Sequence, residues 1–344
     1  MPSYTVGSTE RLTNRASDTE TKALLYLMNF REDSDEIHYF IVDFFNDVTG
    51  MDQYSTKMWD VQAKASNNVS PKQIGKNLVT LYKNFISEFD FHSYILFMGT
   101  PANTVRVDNQ KLCFGIENIT PDALCKIFSG LKEESLRATY INNSKVTDSN
   151  IQAFLKKVLF VIDNKEPHDY IKEMIRVKRE LMPRNEVLTG IFHEIRDRQS
   201  TKKNGPPVEG LTIAFPHEAL NYYRHLKSDE IKLLVLSRVI NKNPMDQNPT
   251  LSFMPILNLI PIENRKECVE DCRINLARAL FDKSAVDFFW DLFGEIYSLI
   301  KDNPTESVDQ IFSRIDKTLL AQSKTFDTIS LKFFIANIKD GVEL

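Results

Sequence analysis

Three polar residues alternate with apolar ones over a short segment of the chain, in the order Asp60, Val61, Gln62, Ala63 and Lys64. Side chains of a β-strand point alternately to opposite faces, so the polar groups would share one face and Val61 and Ala63 the other. Polar groups on a buried strand are costly unless they bind something. The alternation therefore predicts a strand with one functional face.

Two carboxylates, Asp43 and Asp47, lie at the end of the preceding β-rich stretch. An antiparallel return of the chain would bring that end close to the middle of the polar strand. The combined groups suit phosphodiester hydrolysis with Mg²⁺ (or Mn²⁺), because Mg²⁺ prefers hard oxygen ligands and lowers the pKa of bound water. Asp47 would anchor the ion, Gln62 would complete its shell, and Lys64 would orient the attacking water or stabilise developing charge.

Taken alone, the D-x-Q-x-K spacing is a weak pattern, because a solvated edge strand with alternating polar residues has the same appearance. Other chemical motifs are weaker still. Cys268 and Cys272 have no second Cys or His pair close by, and His193-Glu194 is followed by Asp197 where a zinc protease needs a histidine. The sequence also has no glycine-rich phosphate loop, which argues against nucleotide hydrolysis in this chain.

The elements around the polar strand follow the order helix, strand, strand, helix, strand. Capping residues and apolar spacing predict helices over residues 17–30 and 71–85. Runs rich in β-branched and aromatic residues predict strands over 36–45, 57–65 and 93–99. The polar strand is the second of these three.

Turn-forming residues at 46–50 would end the first strand, and further helices are predicted over 121–131 and 148–160. A basic, polar stretch at 196–210 contains two prolines and two glycines and predicts a linker. Beyond it the pattern is helical. The predicted helices span 216–226, 228–239, 264–281, 285–301, 304–321 and 330–338.

The order of elements, together with three stretches of sequence, resembles a known family. The stretches are IVDFFNDV (41–48), WDVQAK (59–64) and SPKQIGKNLVTLYKNF (70–85). They are similar to the PD-(D/E)xK restriction-endonuclease-like fold, and more narrowly to the dsDNA endonuclease domain of bacterial anti-phage effectors. Such a domain occurs in CBASS effectors that carry a SAVED domain and in Lamassu-type systems. A weaker resemblance extends the match to roughly residues 10–210.

The resemblance implies a role for each matching residue. Asp47 matches the metal-binding acid, Gln62 the metal-binding position that is Glu or Gln, and Lys64 the catalytic lysine. Asp43 matches an auxiliary acid and is a further expected metal ligand. The implied fold is an α/β restriction-endonuclease-like domain over residues 1–210, followed by an all-α domain over 211–344.

Two features depart from the family pattern. The first helix lacks the Gly and Gln usually found near its start, although Glu20 offers a carboxylate there. The middle strand, between Asp47 and Trp59, looks short. We expect Glu20, together with Asp60 of the polar strand face, as auxiliary groups of the site.

Basic residues in two regions are candidates for contacting DNA phosphates without reading sequence. The residues are Lys72, Lys76, Lys83, Arg198, Lys202 and Lys203. The first three are expected to share one face of the helix after the polar strand. The alternative is that these residues form ordinary solvated helix faces and a linker. An aromatic run at 288–297 is expected in a helix core, or at a docking surface if it is exposed.

Composition narrows the remaining possibilities. With 344 residues, 42% of them hydrophobic, the chain can bury a substantial core. A net charge of −4 excludes a basic field over the whole chain, so any nucleic-acid contact must be local. Four cysteines do not make a disulfide scaffold. With no signal-like start and no long apolar run, we expect a cytoplasmic protein without membrane spans.

The residue pattern predicts metal-dependent phosphodiester hydrolysis, and the resemblance implies an endonuclease subunit of a prokaryotic anti-phage defence system that cuts double-stranded DNA. The resemblance implies that an SMC-like ATPase and an accessory subunit, or homo-oligomerisation on activation, control it. The helical second domain would bind the partner or another copy. Two alternatives stay open: a non-catalytic scaffold subunit that retains the nuclease fold, and an RNA nuclease.

Overall fold

A computed structural model gives the fold, and it describes residues 3–7 and 17–342. The chain divides into two compact units. The first contains Met1–Tyr170 and Phe192–Ser228, and the second contains Ile171–Ile191 and Asp229–Leu344. The first is an α/β unit and the second is helical, but the division does not follow the predicted boundary at residue 210.

Nine strands are described, all of them in the first unit. They are β1 (Tyr4–Thr5), β2 (Ile37–Val42), β3 (Val48–Asp52), β4 (Met58–Lys64), β5 (Ser93–Met98), β6 (Cys113–Phe114), β7 (Val158–Ile162), β8 (Thr212–Ile213) and β9 (His225–Lys227). Seven strands form one mixed sheet in the order β6-β7-β5-β4-β3-β2-β9, and β1 pairs with β8 separately. β2, β3 and β4 form an antiparallel meander, whereas β4, β5 and β7 run parallel.

The helices flank and follow this sheet. In the first part of the chain they are α1 (Asp18–Asn29), α2 (Pro71–Asn77), α3 (Val79–Phe85), α4 (Pro121–Arg137) and α5 (Asp148–Leu155). The later helices are α6 (Pro167–Lys172), α7 (Asn185–Lys203), α8 (Ser228–Val239), α9 (Met254–Leu257), α10 (Arg265–Phe281), α11 (Val286–Asp302), α12 (Val308–Arg314), α13 (Lys317–Gln322) and α14 (Thr328–Gly341). Within the described residues, no helix combines the length and apolarity that crossing a membrane requires.

Several predicted elements are confirmed, because local signals define them. Ser17 caps α1 with a full capping box, in which Glu20 completes the reciprocal bond. β4 and β5 match the predicted strands closely, and the helices predicted over 228–239, 264–281, 285–301 and 330–338 are present within a few residues. The aromatic run of α11 is core: Phe289 and Phe293 are almost fully buried and pack against Phe334.

The turn predicted over residues 46–50 is correct only for Asn46 and Asp47, because Thr49 and Gly50 lie inside β3. Thr49 is buried and its hydroxyl donates to the Asp60 carboxylate at 3.4 Å. A Cβ on Gly50 would lie 3.1 Å from Ile37 and 3.2 Å from Leu27, so this position leaves little room for a side chain. Residues that usually form turns are used here in a covered strand.

Other predicted boundaries fail where pairing with distant strands decides the outcome. The helix predicted over 148–160 ends at Leu155, and Val158–Ile162 instead forms β7, parallel to β5. The helix predicted over 216–226 is only a short 3₁₀ helix that ends at Tyr222. His225–Lys227 instead forms β9, which pairs with β2. Residues 211–228 therefore belong to the α/β unit rather than to the helical one.

Three further boundaries also differ. The linker predicted over 196–210 is helical as far as Lys203. The helix predicted over 71–85 breaks at Leu78 into α2 and α3, and the one over 304–321 starts only after Ser307 and divides into α12 and α13.

Two glycines let α2 and α4 approach within backbone contact. An ideal Cβ on Gly75 of α2 would lie 2.1 Å from the Ile127 carbonyl oxygen, and one on Gly130 of α4 would lie 2.2 Å from the Lys72 carbonyl oxygen. Since each obstacle is backbone, neither can move aside cheaply. The short α2 is thereby held on α4, and it directly precedes α3, which covers the polar face of β4.

Alanine at Gly75 should destabilise the protein by about 3 kcal/mol or more, because overpacking forces the two helices apart. Gly190 of α7 is the matched control, since an added Cβ there meets nothing within 4 Å. Its substitution by alanine should stabilise by up to about 1 kcal/mol through helix propensity. Urea unfolding followed by circular dichroism measures both variants. Equal midpoints for Gly75→Ala and the wild type would contradict the close approach.

Candidate functional site

The turn between β2 and β3 holds Asp47 against the end of β4. Val48 pairs with Val61, so Asp47 lies level with Gln62, just beyond the paired part of the ladder. Its Oδ2 accepts a hydrogen bond from the Ala63 N–H at 2.8 Å and another from the Gln62 side-chain NH₂. Because β3 begins only at Val48, the Asp47 side chain satisfies a β4 backbone donor that would otherwise lack a partner. The acid and the Q-x-K segment thus lie close together, as predicted, and they are also directly hydrogen-bonded.

The Gln62 amide is buried between β4 and α3, with 1% of the residue exposed. Its NH₂ donates to Asp47 and its carbonyl oxygen accepts from the Thr80 hydroxyl of α3. The amide therefore presents hydrogens, not its oxygen, to the Asp47 carboxylate. This orientation differs from the predicted one, in which the Gln62 oxygen faces the same cation as Asp47.

Lys64 lies at the end of β4, two residues beyond Gln62, and is half-buried. Strand alternation puts its side chain on the same face as Gln62. Val61 and Ala63 are buried on the opposite face. The predicted alternation is thereby confirmed, with the difference that both faces of β4 are covered, as is usual for the parallel part of a sheet.

Asp60 is fully buried deeper along the same face of β4. One oxygen of its carboxyl group accepts from the Asn84 side-chain NH₂ of α3 at 2.7 Å. Burial raises the pKa of Asp60 from 3.8 to about 7, in spite of that hydrogen bond and of the positive charge of Lys83. Asp60 is bonded to α3 and β3 rather than to Asp47, so it lies behind the site and supports it.

The raised pKa of Asp60 has a consequence for stability. A carboxyl whose pKa is higher in the folded state stabilises the fold below pH 4 and loses that contribution as the pH rises through about 7. Asp60→Asn mimics the neutral form and should lack this loss. The free energy of unfolding of the wild type, minus that of the variant, should fall by on the order of 4 kcal/mol between pH 4 and 8. Urea titrations across this range test it; a difference independent of pH would contradict it.

Lys83 is not placed to contact DNA, since 9% of the residue is exposed. Its ammonium donates to the Tyr4 hydroxyl at 2.8 Å, and burial lowers its pKa to about 8. Tyr4 in turn donates to the Asn84 side-chain oxygen at 2.8 Å, which connects β1 to α3. Lys83 therefore belongs to a buried polar network behind Asp60.

The two lysines of α2 remain at the surface, but acids of α4 partner them. Lys72 lies 2.6 Å from Glu133, and Lys76 lies 3.7 Å from Glu133 and 3.8 Å from Glu134. Their positive charge is therefore largely balanced locally. Because the helix breaks at Leu78, Lys83 does not continue their face as predicted.

Lys203 is likewise not a surface contact but lies beside the site. Its ammonium is 2.7 Å from the Glu20 carboxylate of α1 and 3.2 Å from the Asp43 carboxylate, with 3% of the side chain exposed. Asp43 starts the β2–β3 turn in a left-handed conformation, φ 48°, and its N–H donates to the Asp47 carbonyl oxygen at 3.3 Å. The structure thus brings Glu20 and Asp43 together, as a pair bridged by a lysine.

The side chains of Arg198 and Lys202 are partly exposed to solvent. Arg198 is about half exposed and pairs with Glu194 one turn earlier on α7, at 3.3 Å. Lys202 is half-buried. Of the six basic residues predicted to bind DNA, two are buried and four keep exposed surface: Lys72 and Lys76 on α2, and Arg198 and Lys202 on α7.

Sequence reasoning missed the side chains that hold the site from behind. Thr80 and Asn84 are four residues apart on α3, and both are buried and bonded to the polar face of β4. Two inward polar residues at helical spacing, next to a polar strand, were the available signal. Arg224 is also buried; it donates to the Pro206 carbonyl oxygen at 3.1 Å, and burial lowers its pKa although Asp43 opposes this. Nothing in its local sequence marks it.

The donor set is suited to a hard cation, with one condition. Among the described residues, no three His, Cys, Asp or Glu side chains are grouped as a metal site. An aspartate carboxylate and an amide oxygen are nonetheless oxygen ligands of the kind Mg²⁺ prefers. Turning the Gln62 amide would direct its oxygen to Asp47 and its NH₂ to Thr80, whose hydroxyl accepts as readily as it donates. The residues present therefore fit a divalent ion at Asp47.

The arrangement has three chemical capabilities: a carboxylate fixed on a strand end, an amide that can supply an oxygen, and a lysine on the same face. Together they can hold one cation and position a water or a phosphate oxygen beside an ammonium group. No family model, no curated protein and no solved structure matches this chain.

Proposed function

We propose that the first unit is a metal-dependent endonuclease that hydrolyses phosphodiester bonds of double-stranded DNA. The observation that supports it most is the contact of Asp47 with Gln62 and Ala63. This contact joins an acid at the start of one strand to the Q-x-K segment at the end of its neighbour, with Lys64 on the same face. The PD-(D/E)xK resemblance implies this relation.

The order of elements also supports the proposal. α1 is followed by the antiparallel strands β2, β3 and β4, then by α2 and α3, then by β5 parallel to β4. The middle strand expected between Asp47 and Trp59 corresponds to β3, which is five residues long and is thus short, as the sequence predicted. A restriction-endonuclease-like domain is therefore the finer fold assignment that we propose for this α/β unit.

Each residue has a stated part in the reaction. Asp47 and the turned amide of Gln62 would hold the divalent ion. A divalent ion, when bound, lowers the pKa of a water and offsets negative charge on the phosphate. Lys64 orients the attacking water or neutralises charge that develops on a phosphate oxygen. Thr80 keeps the Gln62 amide in place and touches no substrate.

The setting of this activity is proposed from the resemblance as well. Arg198 and Lys202 would contact duplex phosphates beside the cutting site. The helical second unit would bind an SMC-like ATPase and an accessory subunit, or another copy of the chain, within a cytoplasmic anti-phage system. These partners would restrain the nuclease until it is activated.

A plasmid assay tests the activity directly. Wild-type protein, alone and with its candidate partners, is incubated with supercoiled DNA in Mg²⁺ or Mn²⁺, in chelator, and with an RNA duplex. We expect nicked or linear DNA only with the metal and no RNA cleavage. Asp47→Asn should abolish cutting, whereas Asp122→Asn, an exposed acid of α4, should not. Cleavage in chelator, or by Asp47→Asn at the wild-type rate, would overturn the proposal.

A non-catalytic scaffold subunit is the second candidate. The observation that favours it is that the Gln62 NH₂ and the Ala63 N–H already satisfy Asp47 Oδ2. In a scaffold this contact would simply close the end of the β3–β4 ladder. A wild-type chain that binds no Mn²⁺ and cuts nothing, with partners present, would support the scaffold.

A further inference from the structure

Lys203 lies within ion-pair distance of two carboxylates in a space with almost no access to solvent. Its ammonium is 2.7 Å from Glu20 and 3.2 Å from Asp43, and 3% of its side chain is exposed. The side-chain exposures of Glu20 and Asp43 are 14% and 10%. Two carboxylates that share one ammonium in so little solvent repel each other with poor screening, and the cation offsets that repulsion.

The position of Lys203 is fixed by helix packing rather than by the ion pairs alone. One turn earlier on α7, the buried Gln199 side-chain oxygen accepts from the Thr21 hydroxyl of α1 at 2.9 Å. Another turn back, Arg196 donates to Asp18 at 2.8 Å. The Glu20 carboxylate is itself held by the capping box at the start of α1. The packing of α7 on α1 therefore positions the Lys203 ammonium beside a Glu20 carboxylate that is already held in place.

The charge of Lys203 is retained in this place. Burial opposes it, but the attraction of Asp43 and Glu20 outweighs burial, and the pKa of Lys203 is raised above its ordinary value. A permanent positive charge thus lies beside the turn that carries Asp47. Carboxylate oxygens such as those of Glu20 and Asp43 would otherwise suit a divalent ion.

We propose that the Lys203 ammonium is a built-in cation that takes the place of a second divalent ion between Glu20 and Asp43. The site consequently binds one divalent ion, at Asp47, and Asp43 is not one of its ligands. This inference rests on the proposed function only for the ion at Asp47. It assigns to Lys203 a positioning role, since it acts through the two carboxylates and touches no substrate.

Metal stoichiometry separates this role from that of an ordinary structural ion pair. The full-length chain is titrated with Mn²⁺, and free and bound ion are counted by electron paramagnetic resonance, with thermal melting in chelator and in Mn²⁺ alongside. The test variant is Lys203→Met, which keeps the length of the side chain and removes its charge. The matched control is Lys22→Met on α1, which removes a partly buried pair with Asp163 of 2.9 Å elsewhere in the same unit.

We expect one Mn²⁺ per wild-type chain and per Lys22→Met chain, and two per Lys203→Met chain. Lys203→Met should melt below the wild type in chelator and regain most of that difference in Mn²⁺. If Lys203→Met binds a single ion, or if the wild type binds two, the inference is overturned while the proposed nuclease stands. A wild type that binds no ion would refute both.

A second measurement does not depend on the folding of Lys203→Met. With Lys203 in place, Asp43→Asn should still bind one Mn²⁺ per chain, whereas Asp47→Asn should bind none. Loss of the ion in Asp43→Asn would make Asp43 a ligand and overturn the inference. Retention of the ion in Asp43→Asn supports the inference, because the Asp43 carboxylate then pairs with Lys203 and does not bind the metal.

Discussion

Alanine in place of Lys64 should reduce plasmid cleavage by a factor of about 10² to 10⁴, since one positioned ammonium contributes about that much to stabilising a charged transition state. The fold should be unchanged, because Lys64 is half-buried at the last position of β4 and its pairing with Met98 of β5 is a backbone pairing. Initial rates of supercoil loss in Mg²⁺ measure the effect, and thermal melting verifies the fold.

Lys57 offers the matched control. It precedes β4 at the opposite end, is 41% exposed and pairs with Glu36. Lys57→Ala removes a lysine from the same strand region without touching the site, so cleavage should continue at the wild-type rate. A Lys64→Ala variant that is folded and cuts as fast as the wild type would remove Lys64 from the mechanism.

Glutamate in place of Gln62 should tighten divalent-metal binding by about tenfold or more, because a second carboxylate adds a charged oxygen ligand. In chelator the same change should destabilise the fold by about 3 kcal/mol. The substitution replaces the NH₂ group that donates to Asp47 with a second negative charge, at a residue of which only 1% is exposed. The melting temperature of Gln62→Glu should therefore lie below that of the wild type in chelator and rise towards or above it as Mn²⁺ is added. Melting curves at several Mn²⁺ concentrations measure this change.

The control for Gln62→Glu is Gln73→Glu on α2, at an exposed position. It adds the same charge away from the carboxylates and should change neither the melting temperature in chelator nor the affinity for Mn²⁺ appreciably. Gln62→Glu with unaltered metal affinity would contradict the assignment of Gln62 as a ligand, whereas its destabilisation in chelator alone would report only the lost hydrogen bond.

The sequence predicted the parts of the site that local patterns define. Strand alternation is a local property, so Asp60, Gln62 and Lys64 were correctly placed on one face of β4. The proximity of Asp47 to Gln62 was also expected, although the first residues of β3 were assigned to a turn. Thr49 and Gly50 favour turns by themselves, and only their burial against Asp60, Leu27 and Ile37 makes them strand residues.

What remained unpredicted depends on residues far apart in the chain. Lys203 reads as part of a polar linker, and its partners Glu20 and Asp43 precede it by about 160 residues or more, so no local pattern connects them. The Gln62 amide is oriented by the Asp47 carboxylate, which only accepts, and is bonded to Thr80 on its other side, and a strand pattern includes neither contact. Tertiary packing overrode local propensity at each of these points.

The pairing of β9 with β2 has a consequence for how the α/β unit can be dissected. Residues 225–227 of β9 pair with Tyr39, Phe40 and Ile41 of β2, and the Val42 N–H donates to the Arg224 carbonyl oxygen at 2.8 Å. A fragment truncated at residue 210 would leave this strand as an open edge with unpaired backbone groups, a template for aggregation. An autonomous fragment of this half must therefore extend to Ser228, well past the apparent linker.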